Sequence, residues 1–200
     1  MRYECTEERF LKDVSSHIMT IVRDDGTHRH VRFKKPDSSD MFFDIVTYPG
    51  YLVYSGDMGC YVFSRISDMF QFFRGKSDGP LRINESYWGE KLEAVDKPDG
   101  YRKYDPELFR KYVVDWLAEQ EPDNDLSVRV DDELLSFAND NDEAHARDAL
   151  MEFEHEGQRP FQDSWDCSFD QYTFRFTWCC YALAWAIRHY DAAKATETTV

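Results

Sequence analysis

The sequence predicts an α+β fold, with an N-terminal antiparallel β-meander of about five strands, a covering helix and an acidic, mainly helical C-terminal half. Residues 18–65 hold short β-rich runs separated by turn signals, a pattern that is typical of a meander. Apolar residues recur at helical spacing over 106–120 and 142–156. The apolar run at 176–187 is too short to span a membrane, and its length suits a buried core helix.

Turn signals place the strands of the N-terminal half. Asp25-Gly26 lies between two β-rich runs and predicts a hairpin turn, because this dipeptide favours the left-handed backbone that such turns require. The next residues predict a helix over 66–74 with Ser67 as its N-cap, and its aromatic side would cover the sheet. Further strands are predicted near 42–48, 51–55 and 60–64.

The C-terminal half is predicted to be helical. Asp105-Pro106 combines an N-cap with proline at the first helical position, which favours the start of a helix. We therefore divide the chain into a sheet-containing half, 1–104, and an acidic helical half, 105–200, which together form one compact unit. Further helices are predicted near 131–138, 142–156 and 172–192, and an acidic loop is predicted over 121–127. The acidic helices are expected to pack on the long helix at 172–192.

The negative charge is concentrated in one segment. The chain carries a formal net charge of −15, and residues 115–170 alone hold 3 basic and 18 acidic side chains. A net acidic chain disfavours direct binding to nucleic-acid phosphates, which require basic groups. Concentrated charge destabilises a folded chain by self-repulsion, so the segment indicates either a surface that attracts a basic partner or an ordinary solvated face.

The acidic segment predicts a surface that imitates nucleic acid. B-form DNA carries one negative charge per about 1.7 Å of its axis, and a helix rises about 1.5 Å per residue, so acidic helices approach a comparable density. We expect the partner to be a basic nucleic-acid-binding protein of a bacterial host. The predicted partner-binding residues are Asp123, Asp125, Asp131, Asp132, Glu133, Asp140, Asp142, Glu143, Asp148, Glu152, Glu154 and Glu156.

Motifs for metal binding and catalysis are incomplete. A calcium loop that started at Asp123 would need Gly and Glu where the chain has Val128 and Leu134. His28 and His30 share one face of a strand, but two histidines do not complete a zinc site. No nucleophile motif of a hydrolase is present. The sequence therefore predicts no metal, no cofactor, no catalytic residue and no enzymatic activity.

Two alternatives remain open. The first is an enzyme or a small-ligand binding protein that uses the sheet face, with a nucleotide as the ligand. Its candidate ligand site consists of His28, His30, Arg32, Tyr48, Tyr54 and Asp57. The second is a homodimer, in which a basic hairpin would contact the acidic surface of a second copy. The basic hairpin residues are Arg23, Arg29, Arg32, Lys34 and Lys35.

Three segments of the chain resemble one group of proteins. Residues 5–14, 42–74 and 172–187 are similar to uncharacterised accessory proteins of temperate phages and prophages. The resemblance covers most of the chain and implies an accessory phage protein that acts in the cytoplasm of the bacterial host. Five cysteines without framework-like spacing agree with a reducing compartment.

The resemblance also implies a role for the acidic surface. Small acidic phage proteins are often inhibitors of host defence, and nucleic-acid mimics are found among them. We therefore expect a phage-encoded inhibitor of a bacterial defence system, of the anti-CRISPR or anti-nuclease type. It would act by protein binding and not by catalysis, because neither the resemblance nor the residues supply a catalytic group.

Overall fold

The computed structural model describes residues 4–97, 100–140 and 142–197, with the backbone alone at 139 and 140. The fold class is α+β, as predicted. The chain forms two compact units. The first unit contains Met1–Tyr101 and Tyr172–Val200, and the second contains Arg102–Gln171. This division differs from the sequence-based one at 104, because the C-terminal helix belongs to the unit that contains the sheet.

The first unit contains a six-stranded antiparallel sheet in which each strand pairs with the next along the chain. Gly26 has a φ of 59°, so the predicted Asp25-Gly26 turn has the left-handed backbone that favours glycine. The strands are β1 Ile18–Asp25, β2 His28–Lys34, β3 Phe43–Tyr48, β4 Tyr51–Gly56, β5 Gly59–Ser64 and β6 Leu92–Ala94.

The described part of the chain also contains seven α-helices, a π-helical turn, two short 3-10 helices and a second, two-stranded sheet. The small sheet pairs β7 Arg102–Tyr104 with β8 Asp170–Tyr172. The helices are α1 Glu7–Asp13, α2 Met69–Phe73, α3 Glu85–Gly89, α4 Pro106–Glu119, α5 Asn124–Val130, α6 Glu143–Glu152 and α7 Phe174–Glu197. None of the helices in the described residues is long and apolar enough to cross a membrane.

An aromatic core joins the sheet to α7. Alternate residues of the strands, such as Phe43 and Tyr54, lie on the inner face and are fully buried. Trp178 of α7 is also fully buried, and its ring lies 5.7 Å from that of Phe43. Because α7 is apolar nearly all round, it is buried on several sides, and α1, α2 and α3 contact it. This explains why α7 packs with the sheet.

Some predicted boundaries were wrong, and side-chain contacts explain why. Helix α2 is N-capped by Asp68, not Ser67, because the Asp68 carboxylate accepts the Phe70 N–H at 3.0 Å. The predicted loop at 121–127 contains the start of α5, because Asp123 caps that helix through the Leu126 N–H. Leu126 is buried, so the helix is anchored to the core of the second unit.

Candidate acidic docking groove

The second unit holds most of the negative charge. Arg102–Gln171 contains 7 basic and 20 acidic residues, a net charge of −13. The first unit has 17 basic and 19 acidic residues, a net charge of −2. Most of the predicted partner-binding carboxylates are exposed, so they lie on the surface of a folded unit and not on a disordered tail. The exposed ones are Asp123, Asp125, Asp131, Asp132, Glu133, Asp148, Glu152, Glu154 and Glu156.

A π-helical turn forms one side of the acidic surface. Sequence periodicity predicted a regular helix over 131–138, but Asp131–Leu135 is a π-helical turn that continues from α5. The Ser136 N–H donates to the Asp131 carbonyl at 2.9 Å, five residues back, which widens the turn. Residues 131–133 are consequently all exposed, while the two leucines that follow are buried in the core. Such turns occur frequently at functional sites.

Helix α6 forms the other side of the acidic surface. His145, Asp148, Ala149 and Glu152 follow the i, i+3, i+4, i+7 spacing that places side chains on one face of a helix. The helix begins after Asp142, whose carboxylate accepts the N–H groups of Ala144 and His145 at 3.0 and 3.4 Å. It ends at 152, four residues earlier than predicted, because residue 153 has an extended backbone with a ψ of 128°.

A groove of about 700 Å³ lies between these two elements. Ala149 and Phe153 provide its apolar base, and Phe137 adds an aromatic ring that is 38 % exposed. A volume of this size is sufficient for one or two long side chains of a partner. The acidic groove is lined by Asp132, Glu133, Phe137, His145, Asp148, Ala149, Glu152 and Phe153.

Three arginines pair with part of the acidic set. In each pair a carboxylate oxygen lies about 3 Å from the guanidinium, as in an ordinary surface ion pair. The groove carboxylates Asp132, Asp148 and Glu152 have no ion pair with any basic residue that the structure describes. The pairs are Glu133 with Arg129 at 2.9 Å, Glu143 with Arg147 at 2.7 Å and Glu154 with Arg159 at 3.1 Å.

The other predicted carboxylates have separate roles or positions. Asp123 and Asp142 are helix N-caps, so each already accepts backbone N–H groups. Asp125 and Glu156 are exposed and lie outside the groove. The side chain of Asp140 lies outside the described residues. Asp131 is likewise exposed outside the groove, and it shares with Asp125 and Glu156 the lack of an ion pair among the described residues. Asp132, Asp148 and Glu152 differ from these three in that they lie without ion pairs in one groove.

The candidate ligand site on the sheet is only partly assembled. His28, His30, Arg32 and Tyr48 share the outer face, which is solvent-exposed. The other two predicted residues are placed elsewhere. Tyr54 faces the core and is fully buried, and Asp57 lies in the turn between β4 and β5, where it accepts the Met41 N–H at 2.7 Å. The six residues thus do not line one pocket.

The carboxylate of Asp44, at the centre of this outer face, was not among the predicted site residues. Asp44 accepts His30 Nε2 at 2.7 Å and both Arg32 Nε and Nη2 at 2.9 Å. Burial alone would raise the pKa of Asp44, but hydrogen bonds from Arg32 and His30 outweigh it and hold the pKa below its ordinary value. The cross-strand register of β2 and β3, which places Arg32 opposite Asp44, is the signal that could have found it.

The basic hairpin proposed for homodimer formation is largely engaged within its own unit. Arg29 is 9 % exposed, donates to both carboxylate oxygens of Asp68 at 2.8 and 3.1 Å, and stacks over Phe70. Arg32 pairs with Asp44. Arg29 and Arg32 thus have partners within the unit, Arg23 remains exposed, and homodimer formation stays a prediction.

Among the described residues, no group of three or more His, Cys, Asp or Glu side chains is arranged to hold a metal ion. The chain matches no protein-family model, no curated protein and no solved structure. The comparisons do not test the resemblance to phage accessory proteins, which stays a prediction. The functional assignment accordingly depends on the charges and contacts of the chain itself.

Proposed function

We propose that the acidic groove and the carboxylates around it bind the basic nucleic-acid-binding surface of another protein. The supporting observation is the set of three groove carboxylates, Asp132, Asp148 and Glu152, that have no basic partner among the described residues. Unpaired carboxylates that lie close together repel one another and lower the stability of the unit. A basic partner would relieve this repulsion. The relief would make binding more favourable, because folding of the chain alone leaves the repulsion in place.

The charge density of the surface supports nucleic-acid mimicry. Helix α6 has 10 residues, which correspond to a length of about 15 Å. Its three acidic residues and the three of the π-helical turn give about six carboxylates over that length, against about nine phosphates in B-form DNA. Two of the six, Glu133 and Glu143, pair with arginines, so the density of carboxylates without an arginine partner is roughly half that of the phosphates. Because the carboxylates lie on folded elements, docking would also order fewer side chains and loops than a disordered acidic tail would require.

The apolar base of the groove favours arginine as the residue that enters it. A guanidinium can donate to a carboxylate and at the same time stack on an aromatic ring. Phe137 offers an exposed ring in the same groove as the carboxylates of Asp132 and Glu152, so the groove presents both features together. Arginine is also a common contact residue of proteins that bind nucleic acid.

Within this proposal the protein inhibits its partner by occupying the site that nucleic acid would use. The predicted resemblance to temperate-phage proteins makes a bacterial defence complex, such as a CRISPR effector or a nuclease, the expected class of target. The mode of action is competitive binding, which requires neither a cofactor nor a catalytic residue in this chain.

The test is charge reversal in the groove. A variant with Asp132→Lys, Asp148→Lys and Glu152→Lys leaves the helix caps and the arginine pairs intact. Proteins captured from bacterial lysate on the wild-type chain at low salt should be nucleic-acid-binding proteins that added duplex DNA displaces. The variant should bind them about 100-fold more weakly, because charge pairs at interfaces contribute several kcal/mol.

The control variant carries Asp25→Lys, Asp78→Lys and Glu93→Lys, which make the same change in charge at exposed positions of the first unit. It should bind the captured proteins nearly as well as the wild type. Circular dichroism verifies that both variants fold. The proposal fails if the folded groove variant binds like the control, or if duplex DNA does not displace the captured proteins.

A further inference from the structure

A second concave site lies in the first unit and has the opposite charge. A pocket of about 500 Å³ lies between the segment 74–82 and the C-terminal half of α7. Its lining includes four basic residues, Arg74, Lys76, Arg82 and Arg188, and a single carboxylate, that of Asp191. A lining charge of +3 stands out in a unit whose net charge is −2.

Two of the arginines hold the pocket in shape. Arg74 donates from Nε and Nη2 to both oxygens of Asp191 at 2.7 and 2.9 Å. Arg188 donates from Nη1 to the Gly79 carbonyl at 2.9 Å and from Nη2 to the Pro80 carbonyl at 3.4 Å. These bonds tie the segment after α2 to α7, so the pocket is pre-organised. They also neutralise the carboxylate of Asp191, the single acidic residue in the lining.

The other two basic residues have no such role. Lys76 and Arg82 are exposed, and within the described ranges neither makes an ion pair or a side-chain hydrogen bond. The buried Nε of Arg188 also has no hydrogen-bond acceptor in the described structure. The described residues therefore leave three donor groups of the pocket without a full set of acceptors, and all three suit an anion.

The remaining lining of the pocket is apolar. Ala192 and Ala195 of α7 form an exposed apolar surface beside the basic groups, and the buried residues Ala184 and Ile187 complete the apolar lining. Ligand pockets of about 300 to 1,000 Å³ typically combine such a surface with a few polar anchors. A volume of about 500 Å³ also exceeds what a single inorganic anion fills.

We propose that this basic pocket binds a soluble phosphomonoester of nucleotide size. The phosphate accepts hydrogen bonds from Lys76 and Arg82, and the planar or apolar part of the ligand packs against Ala192 and Ala195. A phosphate suits this arrangement better than a carboxylate, because it carries up to two negative charges and three acceptor oxygens. The site is separate from the acidic groove and does not depend on the function proposed above.

Calorimetric titration of the full chain with AMP, adenosine and inorganic phosphate tests the proposal. AMP should bind, inorganic phosphate should bind more weakly, and adenosine should not bind at concentrations up to about 10 mM. A Lys76→Gln, Arg82→Gln variant should bind AMP at least about tenfold more weakly. The matched control is Lys12→Gln, Arg65→Gln, which removes two exposed charges from the same unit and should bind AMP like the wild type.

A second variant separates the shape of the pocket from its charge. Ala192 is exposed, so Ala192→Trp should fill the pocket without disturbing the core, and it should abolish AMP binding while inorganic phosphate still binds. The proposal is overturned if AMP, GMP, UMP and glucose 6-phosphate all fail to bind the wild type. It is also overturned if the Lys76→Gln, Arg82→Gln variant binds AMP as tightly as the control does. Charge reversal in the acidic groove should leave AMP binding unchanged.

Discussion

The two units of the chain place their acidic residues in different settings. In the first unit, basic and acidic residues are nearly balanced, and Asp44 and Asp68 are held by arginines on neighbouring elements. In the second unit, acidic residues outnumber basic ones by 20 to 7, and three of the four groove carboxylates, Asp132, Asp148 and Glu152, have no ion pair among the described residues. Charge in the first unit stabilises the fold, whereas charge in the second is available to another molecule.

The hydrophobic core of the first unit contains more buried residues than the core of the second unit. The core of the first unit packs the inner face of a six-stranded sheet against α7 through many aromatic contacts, among them Phe33 with Phe43 at 5.0 Å. The second unit has 70 residues and a separate core around Phe109, Phe153 and Phe161. A smaller unit buries a smaller fraction of its surface, so it has less stability with which to offset the repulsion of its carboxylates.

The largest expected effect comes from truncation of a core aromatic residue. Phe43 is fully buried and contacts the rings of Phe33, Tyr54 and Trp178. Phe43→Ala should lower the free energy of unfolding of the first unit by about 3–5 kcal/mol, through lost burial and the cavity that remains. Hydrogen exchange measured by mass spectrometry should show faster exchange in β1–β5 and α7.

Because the two hydrophobic cores are separate, exchange in the second unit should change little in that variant. Phe161→Ala is the reciprocal control, and it should accelerate exchange in α4 and α6 while the sheet stays protected. If either variant accelerated hydrogen exchange equally in both units, the two units would unfold as one cooperative body. The comparison between two separate units would then have no basis.

A smaller effect is expected from the buried ion pair of the first unit. Burial raises the pKa of Asp68, but hydrogen bonds from Arg29 outweigh burial, so the pKa lies below its ordinary value. Asp68→Asn should lower the free energy of unfolding at pH 7 by on the order of 3 kcal/mol, because Arg29 loses the carboxylate it contacts most closely and keeps only Asp24 at 4.0 Å. Since the folded-state pKa is depressed, this contribution is present above about pH 4 and is lost as the pH falls through the folded-state value.

Urea unfolding of the wild type and of Asp68→Asn at pH 7, 5 and 3 measures this contribution. The difference between them should be similar at pH 7 and 5 and smaller at pH 3. Asp25→Asn removes the same charge at an exposed position, where the pair with Arg23 is solvated, and it should change stability by less than about 1 kcal/mol. A pH-independent difference for Asp68→Asn would indicate that its packing, and not its charge, stabilises the unit.

Local signals in the sequence predicted the elements that depend on local contacts. Asp25-Gly26 located the first hairpin, and Asp105-Pro106 located the start of α4, because turn and cap preferences act over a few residues. Strand β6 was missed, since its three residues form a strand only by pairing with β5. The π-helical turn was missed for a related reason, because burial of both Leu134 and Leu135 in a tertiary core favours the wider turn.

The candidate sites were predictable to different degrees. The groove carboxylates Asp132, Asp148 and Glu152 belonged to the predicted set, since composition alone identified the acidic segment. Which acids pair internally was not predicted, although the i, i+4 spacing of Arg129 with Glu133 is a readable signal. The basic pocket could not be predicted, because it joins segment 74–82 to residues of α7 that lie more than a hundred positions later.

The smallest expected change in stability concerns two carboxylates at helix α6. Asp142 caps α6, and Asp148 lies in the groove without a partner among the described residues. Asp142→Ala should lower the free energy of unfolding of the second unit by about 1 kcal/mol, because two backbone N–H groups lose their acceptor. Asp148→Ala should leave it unchanged or raise it slightly, since alanine favours helix and one repelling charge is removed.

Urea unfolding, with hydrogen exchange across α6 to locate the change, measures both variants under identical conditions. Each removes one negative charge from the same helix, so the net charge is matched and only the role of the carboxylate differs. Affinity for a basic partner should follow the opposite order, with Asp148→Ala the more damaging. If Asp148→Ala destabilised the unit as much as Asp142→Ala, the groove carboxylate would serve the fold itself. The acidic surface would then resemble the paired acids of the first unit, and the case for a partner that binds it would be lost.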